Sequence, residues 1–255
     1  MTMNEQQHYQ PPTPPVHTPL TQSTAMQNLW RDTEPLDASS ASLGSIFESL
    51  LREPFRILKA ADNDHSLAAR ITLTLIATFV VCAGIFGLVV GTFSMGTQLW
   101  AAPLKILAGT AISMLICLPS LYIFSCLSGS RISLVTTAVL MAGSSALIGI
   151  LLIGFAPVFW IFAQSTEATA LVGTLLLIIW SVCLVFATRL IRNTVTSFSQ
   201  SGSKHIGIWV MIFTLVTFQM SCTLRPIIGT SDDLLTQEKK FFIAHWIEQL
   251  TPDLD

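Results

Sequence analysis

Long uncharged stretches dominate the middle of the chain, and their lengths set the first expectation. From Ile71 to Cys222 the only charged residues are Lys105, Arg131, Glu167, Arg189, Arg192 and Lys204. The five longer runs that they bound are each long enough, or nearly so, to cross about 30 Å of hydrocarbon, which takes roughly 20 helical residues. Leu171 to Phe186 is apolar all round, relieved only by Gly173, Thr174 and Ser181. A core helix of a water-soluble domain keeps a polar face instead. The pattern predicts five spans, over about 71–92, 106–127, 134–155, 169–187 and 206–222. The third is expected to stop at Ala156-Pro157, because a proline disfavours helix in the residue before it. Val158 to Phe162 would then lie in the interface or re-enter slightly. The expected fold class is an all-α integral membrane protein, a bundle of about five transmembrane helices with juxtamembrane amphipathic helices.

The flanks read differently. Residues 1–42 are rich in Pro, Gln, Thr and Ser, and Pro11-Pro12-Thr13-Pro14-Pro15 favours polyproline II. This segment reads as a disordered cytoplasmic tail, with recognition by a proline-reading domain as the alternative. In 43–70, Ser45-Ile46-Phe47-Glu48 fits a capping box. Ile46, Phe47, Leu50 and Leu51 follow at helical spacing opposite Glu48, Arg52 and Glu53. Pro54 interrupts, and Phe55, Ile57 and Leu58 resume beside Arg56 and Lys59. One or two amphipathic helices lying on the inner leaflet are expected; packing beneath the spans has the same periodicity. Residues 223–255 form a C-terminal tail. In it Phe242, Trp246 and Leu250 recur every fourth residue, as in a short amphipathic helix.

Composition sharpens this. Charged residues make up 11% of the chain against roughly 25% in a soluble domain, and hydrophobic residues 51%. The net charge of −2 gives no basic surplus for nucleic acid. The partner implied is the lipid bilayer, with a homo-oligomer or another membrane protein beside it. The first 42 residues contain no apolar signal region, so cleavage is not expected. Sidedness follows Lys and Arg. Arg52, Arg56, Lys59, Arg70, Arg131, Arg189, Arg192 and Lys204 fall on the side of the N-terminus. Lys105, Arg225, Lys239 and Lys240 fall on the other. The N-terminus is expected in the cytoplasm and, with five spans, the C-terminus in the periplasm. Trp100, Trp160 and Trp209 are expected in the interfacial aromatic belts.

Chemistry is sparse. No Asp or Glu falls within an expected span, and His8, His17, His65, His205 and His245 lie outside or at an end. Gly143-Ser144-Ser145-Ala146 resembles the serine loop of an intramembrane protease but has no histidine in another span. No catalytic, cofactor-binding or metal-binding residues are expected, and no cofactor, so the chain reads as not an enzyme. Cys82, Cys117, Cys126, Cys183 and Cys222 read as reduced packing residues. Ala83, Gly87 and Gly91 form a small-residue row. Ala138, Ala142 and Ala146 form another, with Ser145 and Gly149 beside it. Such rows let helix backbones approach, within one chain or between copies. Pro119 is expected to kink the second span. Gln219, Cys222 and Arg225 follow at three-residue steps. The amide must find a partner in lipid, Arg225 can snorkel to the headgroups, and Pro226 and Gly229 turn the chain. A helix-end lock and a pore mouth are the two readings.

Ala102-Pro103-Leu104-Lys105, Leu118-Pro119 with Leu121-Tyr122 and Phe124, Leu127 with Gly129-Ser130-Arg131, Ala156-Pro157, and above all Gln219-Met220 with Leu224-Arg225-Pro226 and Gly229 carry a resemblance. From about Ile46 onward the chain resembles an uncharacterised bacterial family of multi-span membrane proteins marked by QMxxxLRPxxG. Its members often carry Trp and Phe where this chain has Cys222 and Ile227. The layout also resembles, in topology, the Yip1-type five-span proteins. These resemblances imply a multi-pass protein of the bacterial inner (plasma) membrane and no catalytic residues. The function expected is that of a non-enzymatic scaffold or adaptor. The alternative is an oligomeric channel or permease without buried ionisable groups.

Overall fold

The computed structural model describes residues 34, 43–94, 98–130, 132–166, 169–198 and 204–223. These residues form seven helices and no strand: α1 Leu43–Arg52, α2 Pro54–Asn63, α3 His65–Ser94, α4 Gln98–Leu127, α5 Leu134–Ser165, α6 Thr169–Phe198 and α7 Lys204–Thr223. Four helices, α3 to α6, hold stretches long and apolar enough to cross a membrane: His65–Phe93, Leu99–Leu127, Leu134–Ser165 and Leu171–Thr196. The apolar stretch of α7, His205–Gln219, is shorter.

Local chemistry sets several helix ends. Pro54 opens α2, where its missing N–H costs nothing. Asp64 then separates α2 from α3, and its carboxylate accepts from the Ser66 backbone N–H at 2.8 Å and hydroxyl at 2.9 Å, as an N-cap does. These donors hold the Asp64 pKa below its ordinary value. The end of α4 closes on Gly129, at φ 71°. The Ser130 N–H reaches the Ser125 carbonyl and the Gly129 N–H reaches that of Cys126, the paired bonds of a Schellman turn. Ser133 caps α5, its hydroxyl accepting from the Thr136 N–H at 3.1 Å.

Around the bundle, α3 packs most extensively on α5 and next on α4. Then α6 lies against α5, α7 against α4, and a lighter α6–α7 contact completes the circuit. Fully buried Phe86 and Phe159 meet with ring centroids 5.8 Å apart, tilted by 59°. This geometry favours aromatic pairs.

The structure corrects several expectations. The second span was expected to start at Ile106, but α4 starts at Gln98 and takes in Pro103 and Lys105. The third was expected to end before Pro157, but α5 runs through Pro157 to Ser165. A long helix bonded on both sides tolerates the single carbonyl that a proline frees. Residues 158–162 are thus helical rather than re-entrant, with Phe159 buried and Val158, Trp160, Ile161 and Phe162 exposed. Ser45 lies within α1, and Glu48 pairs with Arg52 at 3.5 Å.

Nor do α1 and α2 lie free on a leaflet. They pack against each other, on α3 and on α5, burying Ile46, Leu50, Ile57, Leu58, Ala60 and Ala61 in the core. Leu50 lies over Gly143, 3.3 Å from where a Cβ there would stand. The Thr136 hydroxyl donates to the Asp62 carboxylate at 3.0 Å, tying α2 to the start of α5.

Candidate functional site

Two seams and one buried cation are the chemically distinctive places. In the first seam, α3 meets α4 and α5 through glycine. A Cβ added at Gly87 would overlap the Pro103 backbone, so the α3 and α4 backbones touch there. A Cβ at Gly149 would stand 3.2 Å from Phe79 Cα and 3.3 Å from Cys82 Cβ. Ala83 is fully buried and Gly91 is buried on the same helix. Along α5, Ala142, Ser145, Ala146 and Gly149 are buried and Ala138 is half-buried. These rows are occupied within the chain.

The second seam joins α4 to α7. Trp209, wholly buried, donates its indole N–H to the Ser120 hydroxyl at 3.0 Å. Its ring stacks on Phe213, centroids 5.2 Å apart and 7° from parallel. Trp209 therefore does not belong to an interfacial belt, because its polar end is satisfied inside the bundle. Trp100 and Trp160 are 74% and 50% exposed. Pro119, beside Ser120, is exposed and α4 continues through it.

Lys105 was placed by its charge in a segment outside the spans. It lies instead inside α4 and is 4% exposed. Fifteen residues separate it from Ser120, about 22 Å along a helix. The Trp209–Ser120 bond sets the α4–α7 register, so Lys105 stands level with the C-terminal end of α7. Helix carbonyls carry partial negative charge there. Sequence reasoning missed this residue because burial depends on where α4 begins.

Several buried hydroxyls serve their own helices. Thr110, Ser113, Ser144, Ser145, Thr188 and Thr217 each donate to a carbonyl three or four residues back, at 2.7–2.8 Å. Ser144 donates to the Leu140 carbonyl and Ser145 to that of Ala142. Ser125 Oγ, Ser130 Oγ, Trp180 Nε1 and Thr194 Oγ1 are buried without a hydrogen-bond partner among the described residues. Among the described residues no group of three or more His, Cys, Asp or Glu is placed to hold a metal ion. Cys82, Cys117, Cys126 and Cys183 are free thiols. Gln219 is half-buried near the end of α7. Arg225, Pro226 and Gly229 lie outside the described residues, as do the Pro-rich tail and the segment around Trp246.

Fold and interior thus define a class: an all-helical chain with four helices fit to cross a membrane and a core built for packing. No known protein family, curated protein or solved structure matches the chain.

Proposed function

We propose that the chain is a multi-pass protein of a bacterial inner membrane that works as a non-enzymatic scaffold or adaptor. In this reading α7 is the fifth span, the N-terminus is cytoplasmic and the C-terminus periplasmic. Membership of the QMxxxLRPxxG family belongs to the same reading, as does the Yip1-type likeness in layout. One observation carries it. The helices α3 to α7 contain no Asp or Glu, and several of their buried hydroxyls, Thr110, Ser144, Ser145 and Thr217 among them, are bonded to their own backbones. Intramembrane acid–base chemistry and a hydroxyl-lined passage both need such groups turned toward a substrate. Affinity capture of the full chain in mild detergent, quantified by mass spectrometry against an unrelated multi-pass control, should recover a reproducible membrane partner. Recovery of none overturns the scaffold reading.

A second reading, an oligomeric channel or permease, draws on buried Lys105. An ionisable residue inside a spanning helix is a functional candidate by default. Reconstituted chain that carries ion or solute flux, lost in Lys105→Met, would establish this reading. A silent monomer would dismiss it.

A further inference from the structure

The outer face of α6 ends in a way that packing does not explain. Leu171, Ile178 and Val185 are exposed at seven-residue steps, with Phe186 beside them. Seven residues make nearly two turns, so these side chains line up as one stripe. Arg189 and Arg192 continue the stripe and are exposed. On the opposite side Val172, Ile179, Cys183, Ala187 and Ile191 are buried. The stripe lies within the stretch Leu171–Thr196 that is fit to cross a membrane. Roughly 20 residues cross the hydrocarbon, so a crossing that starts at Leu171 reaches the boundary near Leu190. Both guanidiniums then stand at headgroup depth, on the outside of the bundle.

Among the described residues, the helices packed on α6 offer them no carboxylate. Helix α6 packs on α5 and α7, and none of the three contains Asp or Glu. The ion pairs among the described residues, Arg52–Glu48 and Arg56–Glu53, belong to the α1–α2 segment. Asp62 and Asp64 sit at the end of that segment, which packs on α3 and α5. The cations of α1 and α2 thus have acids within their own segment, whereas those of α6 face outward with no acid of the described residues in an ion pair with them.

We propose that Arg189 and Arg192 form a headgroup site for an anionic phospholipid, whose phosphate is held by the two guanidinium forks. Arginine suits this anion because its planar donors match phosphate oxygens two at a time. Anionic headgroups are the counter-charge available at that depth. The site rests on the membrane reading above.

Native mass spectrometry of the full chain, stripped of lipid in mild detergent and titrated with phosphatidylglycerol or phosphatidylcholine, tests it. Each basic side chain near an anionic surface is worth about fivefold in affinity, so the pair should favour phosphatidylglycerol on the order of twentyfold. Arg189→Gln with Arg192→Gln should abolish that preference, and Arg52→Gln should keep it. Equal binding of both lipids by the wild type, or a preference that survives the double glutamine change, overturns the proposal. Displacement of phosphatidylglycerol by inorganic phosphate overturns it in favour of a soluble anion. Should the glutamine variant not fold, Arg189→Lys with Arg192→Lys keeps the charge but not the fork. A reduced preference supports the site, and an undiminished one overturns it. Failure of the wild type to enter nanodiscs of either lipid would overturn the membrane reading itself, a different result from entry without preference.

Discussion

The α3 seams and the α4–α7 seam solve one problem in opposite ways. Where α3 meets α4 and α5, side chains are removed: Gly87 and Gly149 let backbones touch. Where α4 meets α7, a large side chain is inserted and its polar end is bonded across the gap, Trp209 to Ser120. In lipid, apolar surface alone gives helices no reason to associate, so contact depends on close fit and on polar groups needing partners. The first seam uses fit alone. The second uses a filled volume plus one hydrogen bond. The comparison predicts that the first seam fails by overpacking and the second by emptying.

Emptying gives the largest effect. Trp209→Ala should cost about 3–5 kcal/mol, the range for deleting a buried aromatic, read as unfolding in mixed detergent micelles. Overpacking comes next: Gly87→Val, forced against the Pro103 backbone, should cost about 3 kcal/mol by the same measurement. If Gly87→Val is neutral, the two seams are not built differently. Gly149→Ala should be milder, about 1 kcal/mol, because its Cβ would stand 3.2 Å from Phe79 Cα, a tight contact that stops short of the overlap at Gly87. Ser120→Ala should cost less again, on the order of 0.6 kcal/mol. A double-mutant cycle with Trp209→Phe should show the two changes coupled, and strict additivity would deny the bond its role.

The smallest effect lies outside both seams, at the Asp64 cap. The Ser66 hydroxyl and N–H lower the Asp64 pKa in the folded chain. The unfolded chain therefore takes up the proton first as pH falls. The cap's contribution is complete above the ordinary aspartate pKa and is lost as pH drops through the lower folded value. An Asp64→Asn variant should show a shallower fall in stability over that acidic window.

Much of the architecture was legible from charge spacing. The uncharged runs located all the long helices, because partition into hydrocarbon depends on composition and length. Their ends were less legible. Pro157 looked like a boundary, yet it lies inside a helix, since a long helix with satisfied neighbours absorbs one lost bond. Lys105 looked like a loop charge because its burial depends on α4 starting earlier than its polarity suggested. Trp209 looked like a belt residue because an indole near a span end has that meaning unless a hydroxyl meets it, and Ser120 is 89 positions away. The periodicity of α1 and α2 showed an apolar face without showing what covers it.

By itself the sequence determined the all-helical class, the apolar stretches and the absence of acid from α3 to α7. Each depends on which residues are present and how they are spaced. Tertiary structure decided that Gly87 meets Pro103, that Trp209 turns inward and that α1 and α2 lie on α3 and α5. It also decided that Arg189 and Arg192 end an outward stripe. Periodicity marks a face of one helix, but shape across two helices selects what that face meets.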